Sequence, residues 1–210
     1  RILGLVRDSL FARFVGAGFA SDAFLIAFRL PNLFRALFAE GAFASAFIPM
    51  FNQKVADKDG PGLSAGITFA EQALSVLLPI LLAMTVILEV FAWPVTFLLS
   101  GKFNGVSHDQ FAYAVMLSRI TVPYLAFISL VSLLGGILNS LNKFWVNAAA
   151  PILLNVTQIV AILGFHSADA LVTARNQAIA VSVSGALQLL WLMWACRANK
   201  VSMRLRLPVW

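Results

Sequence analysis

The chain has 210 residues, 60% of them hydrophobic and only 11% charged, with a mean hydropathy of +0.88. Soluble domains carry about 25% charged residues, so this chain lacks the polar surface to cover a water-soluble globule and reads as an integral membrane protein. A formal charge of +6 and a pI near 10.1 would suit a nucleic-acid binder, but in so apolar a chain the surplus of Lys and Arg belongs to membrane topology, and no nucleic-acid partner is expected.

Runs of about 20 apolar residues cross a bilayer, and the sequence predicts six helices with no β pattern. The first covers 1–17. "GAGFASD" (16–22) is a short turn, with Ser21 or Asp22 as the cap of a second helix over 21–51, bent at Pro31 and loosened at Gly41. "QKVADKDGPG" (53–62) is the most polar stretch and a loop. A third helix follows over 67–99, closed by "SGKFNG", and a fourth over 110–140, bent near Pro123 and again near Gly135-Gly136. The fifth and sixth take 148–165 and 171–195. The expected fold is therefore an all-α integral membrane protein, a six-helix bundle. Both ends read as cut, which makes the chain part of a longer transporter-like protein.

Basic residues in short loops orient such a bundle. Lys54 and Lys58 follow the second helix, Lys143 the fourth, and Arg197, Lys200, Arg204 and Arg206 the sixth; the other side holds Arg13, Lys102 and Arg175. The amino terminus, the 53–62 and 141–147 loops and the carboxyl end are expected in the cytoplasm. Cys196 is the lone cysteine, and His108 and His166 lie far apart, so neither a disulfide within the chain nor a metal site is expected.

The charges within the apolar runs are the candidate functional residues. An Arg, Lys or Asp at a helix centre costs roughly 2.5–3.5 kcal/mol on insertion scales, and such a charge faces protein, water or a ligand. Arg1 and Asp8 share a face of the first helix, and Arg7 sits beside Asp8. Arg35 lies about 20 Å along the second helix from Asp22, and Glu40 lies about 140° around from Arg35, where it would meet Arg7 or Arg1 on the neighbouring helix. Arg29 and Arg119 are further deep arginines. Glu71 and Glu89 read as interfacial. Two readings stand side by side: Arg7–Asp8 and an Arg–Glu40 contact as structural pairs that lock helices, or the arginines as the wall of a cavity. Arg1, Arg7, Arg29, Arg35 and Arg119 outnumber Asp8, Asp22 and Glu40, and a net cationic cavity suits an anion whose phosphate oxygens accept forked guanidinium bonds.

The stretch "RILGLVRDSLFARFVGAGFASDAFLIAFRLPNLFRALFAEGAFASAFIPMF" (1–51) resembles the amino-terminal region of the MurJ (MviN) family of lipid II flippases, within the superfamily of multidrug and polysaccharide-lipid exporters. "ITVPYLAFISLVSLLGGILNSLNKF" and "APILLN" are similar to that family's fourth and fifth helices. The resemblance covers essentially the whole chain. It implies the first of two six-helix lobes forming a V, with the second lobe absent from this chain, in the bacterial cytoplasmic (inner) membrane. It implies alternating access without ATPase chemistry, and a cationic cavity for the diphosphate of lipid II whose lipid tail stays among the membrane lipids. No cofactor is implied for this lobe; a coupling cation or the membrane potential would act on the full-length protein.

Carried over by register, Arg1, Arg7 and Arg35 match the family's cavity arginines, while Asp22 and Glu40 match its functional acidic positions and Asp8 adjoins Arg7 as in the family. Ala36 departs from relatives with a second arginine there. The alternatives are a cation-coupled multidrug exporter of the same superfamily, which needs an acidic cavity, and a non-transporting helical scaffold.

Overall fold

In lipid, backbone N–H and C=O groups must bond within their own segment, so uninterrupted apolar runs fold as helices. The computed structural model of the protein describes residues 2–37, 42–56, 62–100 and 107–201, and these contain nine helical segments and no strand. They are α1 (Ile2–Phe14), α2 (Phe19–Arg35), α3 (Ala42–Ala56), α4 (Leu63–Val90), α5 (Ala92–Ser100), α6 (His108–Thr121), α7 (Pro123–Ser140), α8 (Phe144–Phe165) and α9 (Ala170–Ala198). Among the described residues four stretches are long and apolar enough to cross a membrane: Leu63–Val90, His108–Ser140, Phe144–Phe165 and Ala170–Ala198. Arg1, Glu40, Gly41, Lys58, Lys102, Arg204 and Arg206 lie outside the described residues.

Several boundaries differ from the sequence expectation for local reasons. The cap of α2 is Gly18, not Ser21 or Asp22. The Ser21 hydroxyl donates to the Gly18 carbonyl at 2.8 Å, and the same oxygen accepts from the Gly18 N–H at 3.3 Å, so the serine works one turn inside the helix. Gly16, at φ 75°, makes the turn before it in a conformation that side chains disfavour. The expected third helix is two segments parted at Phe91, where Pro94 falls within the first turn of α5 and so lacks no helical bond. The expected fourth is parted at Val122, with Pro123 opening α7. Ser107 and Gln110 cap α6 reciprocally, and Asp169 caps α9 by accepting from the Leu171 N–H at 2.9 Å.

α7 is the axial element. Every residue from Val131 to Leu138 is buried, and the helix touches α2, α3, α4, α6, α8 and α9. It passes through Gly135-Gly136 as one helix; Gly136 instead lets α3 come close, since a Cβ there would lie 3.4 Å from the Phe47 ring. Gly185 does the same between α9 and α7, a close approach that small residues permit in membranes. Three buried serine hydroxyls are satisfied by carbonyls one turn back: Ser118 on Ala114 at 3.0 Å, Ser129 on Leu125 and Ser132 on Ile128 at 2.8 Å. Others tie helices together. Thr121 donates to the Ala27 carbonyl at 2.8 Å, Trp191 to that of Val146 at 3.1 Å, and Gln177 to that of Gln158 at 3.2 Å.

Candidate functional site

A cavity of about 540 Å³ opens where α1, α2, α3, α7, α8 and α9 converge. That size lies in the range of small-molecule sites. Arg7 reaches it from α1, Asn32 and Arg35 from α2, Tyr124, Ser132 and Asn139 from α7, Asn155 from α8 and Gln188 from α9. Asn32 and Arg35 are three residues apart and so share a helix face; the Arg35 Nε–H donates to Asn32 Oδ1 at 3.3 Å. Two arginines and no Asp or Glu line the cavity among the described residues.

Arg7 is held by its chain neighbour. Its Nε and Nη2 both donate to Asp8 Oδ1, at 2.9 and 2.7 Å. The side chain of Arg7 is 22% exposed and that of Asp8 68%, so the cation is the covered partner and the carboxylate sits on the open side. An exposed ion pair contributes little stability, which leaves Arg7 able to exchange this carboxylate for another anion.

The remaining candidates lie elsewhere. Asp22 is exposed in the first turn of α2, at the end opposite Arg35, where a negative charge favours the helix dipole. Arg29, expected among the cavity arginines, donates instead to the Leu99 carbonyl at 2.7 Å and so satisfies an orphan group at the carboxyl end of α5. Arg119, the other deep arginine, is exposed on α6 outside the cavity lining and interacts electrostatically with Glu89 of α4. Depth along a helix, the sequence's guide to both, carries no azimuth relative to neighbouring helices. An Arg29→Met change is accordingly expected to loosen α5, seen as faster amide exchange at its carboxyl end, and to leave anion binding within twofold of the parent. A tenfold loss of anion affinity would put Arg29 back in the site.

Tyr124, Asn155 and Gln188 were absent from the sequence candidates because they are uncharged. The available signal was a polar side chain inside an apolar run, which is itself expensive at membrane depth.

Fold and site define a multi-pass helical membrane protein with a cavity lined, among the described residues, by two arginines and no carboxylate. The family model for lipid II flippase MurJ matches residues 11–209, and the chain belongs to that family. A probable lipid II flippase MurJ of Rhizobium tropici is 38% identical over 212 residues, covering 99% of this chain and 39% of the relative. The lipid II flippase MurJ of Burkholderia cenocepacia is 40% identical, covering 90% of this chain and 36% of the relative. A solved structure described as lipid II flippase MurJ in an inward closed conformation superposes with a TM-score of 0.74 at 26% identity, covering 98% of this chain and 41% of that one. The chain thus spans about two fifths of the length of these relatives.

Proposed function

We propose that the protein carries lipid II from the cytoplasmic to the outer leaflet of the bacterial inner membrane by alternating access, and that this chain supplies the amino-terminal lobe. The observation that carries the reading is the cavity lining, with Arg7 and Arg35 present and no carboxylate among the described residues. A diphosphate offers several oxygens to forked guanidinium donors, and Arg1, matched by family register, would add a third. The polyprenyl tail remains in lipid while the headgroup crosses through the cavity. The cycle needs no bond chemistry from the protein, and its drive is a coupling cation or the membrane potential acting on the whole transporter.

A drug exporter for cations is the weaker reading, because an arginine-lined cavity repels its cargo. The scaffold reading fits poorly as well. Among the described residues, the arginine–carboxylate pair at the cavity, Arg7–Asp8, joins neighbours on α1 and so locks no two helices together.

The test is transport in cells whose own flippase is depleted. The protein in its native length should restore outer-leaflet lipid II. The Arg7→Ala/Arg35→Ala variant should reach the membrane at parental level and leave outer-leaflet lipid II at least tenfold lower. Parental transport by that variant would overturn the proposal.

A further inference from the structure

Three polar atoms at the edge of the cavity have no partner. They are Tyr124 Oη, Asn155 Oδ1 and Gln188 Nε2, all buried and none with a hydrogen bond. Tyr124 is 0% exposed and Gln188 1%. Each lies on a stretch long enough to cross the membrane, away from its ends. Lipid cannot serve as the alternative partner there, and an orphaned polar group is costly. The same helices satisfy their buried serines by bonding back one turn; Thr96, Gln158 and Gln177 also carry an unpartnered atom, but none of them lines the cavity, where three such atoms meet.

The three atoms are placed as a group. Tyr124, Asn155 and Gln188 line the same cavity as Arg35. Asn155 commits its amide N–H to the Pro151 carbonyl at 3.0 Å, leaving only its oxygen unmatched. What remains is one amide donor, one amide acceptor and one hydroxyl that can do either. None carries charge, and all adjoin the arginines that line the same cavity.

We propose that Tyr124, Asn155 and Gln188 form an uncharged subsite beside Arg35 that receives the acylated amino sugar attached to a lipid diphosphate. An N-acetyl group offers one carbonyl acceptor and one N–H donor, and a ring hydroxyl offers both, which complements this set. The arginines read the diphosphate, whatever it carries; the neutral subsite distinguishes a loaded carrier from a spent one. This inference rests on the anionic-lipid reading given under Proposed function, and adds selectivity to it.

The experiment compares two ligands on the protein of native length in nanodiscs: undecaprenyl diphosphate, and the same carrier bearing one N-acetylated amino sugar on its terminal phosphate. The parent should bind the sugar-bearing lipid about tenfold more tightly, a difference of about 1.4 kcal/mol. Tyr124→Phe, which removes a single oxygen, and Gln188→Met should each reduce that ratio to about threefold, and together to about one. Arg35→Ala should weaken both ligands and keep the ratio. A ratio of one in the parent, as a subsite filled only by water would give, or a ratio that survives the double variant, would overturn the subsite alone. A parent that binds neither lipid better than a neutral lipid would overturn the anionic-lipid reading itself. Should Gln188→Met fail to assemble, the ratio for Tyr124→Phe decides the matter.

Discussion

Arg35→Ala is expected to weaken binding of a polyprenyl-diphosphate lipid by roughly tenfold to a hundredfold. A charge-assisted contact is commonly worth about 1.5–3 kcal/mol, and 1.4 kcal/mol is a factor of ten. Arg35→Lys should fall between the parent and alanine, because lysine keeps the charge but loses the planar fork. It also loses the Nε–H that meets Asn32, the contact that orients the guanidinium over the cavity. Arg7→Ala should weaken binding as well, by an amount reduced because Arg7 must first share or release the Asp8 carboxylate. Affinities in nanodiscs of matched lipid composition give the order directly. Equal affinities for the parent and both Arg35 variants would remove that residue from the site.

Gly185→Val is expected to have the largest effect on assembly. A Cβ at this position would stand 2.7 Å from Tyr124 Cδ2 and 3.0 Å from Phe127 Cβ, and neither of those atoms is the loose end of a flexible chain. Even alanine must push α7 and α9 apart, and overpacking of this kind costs about 1–3 kcal/mol; valine, branched at Cβ, should exceed it. Because the displaced ring belongs to Tyr124, the damage reaches the cavity as well as the bundle. Gly164→Ala is the comparison. It lies in α8 with nothing within 4 Å of a built Cβ, and alanine there is the better helix former by up to about 1 kcal/mol. Thermal midpoints in detergent should fall for Gly185→Ala, fall further for Gly185→Val, and hold or rise for Gly164→Ala. A Gly185→Val protein as stable as the parent would contradict the close approach of α7 and α9.

A charge inside an apolar run demands an explanation, and that reasoning singles out Arg7 and Arg35, both of which line the cavity. The same reasoning groups Arg29 with them, whereas its guanidinium meets the end of α5. Its partner, the Leu99 carbonyl, is seventy residues away in sequence, and no periodicity reveals a contact between segments so remote. Proline was an equally ambiguous guide. Pro123 opens α7 after a break, whereas Pro31, Pro49, Pro79 and Pro151 lie inside helices. The interruption at Phe91 precedes Pro94, which then falls harmlessly in the first turn of α5. Glycine misled in a different way: Gly136 reads as a bend but provides a notch for Phe47, a role set by the partner helix and invisible from its own segment. The neutral polar residues were visible all along as letters. Their significance lay in being left without partners, which only the packed structure displays.

The long spans are unequally enclosed. Within the most apolar windows, 72% of the His108–Ser140 stretch is buried in the bundle against 11% of Leu63–Val90. Few side chains of α4 are buried within the bundle, so few contacts here constrain their shape. The stretch through α7 must match six neighbouring helices at once. Evolutionary drift should therefore run at two speeds along this chain, with Leu, Ile, Val and Phe interchanging freely on α4 while the row from Val131 to Leu138 changes only when its neighbours change with it.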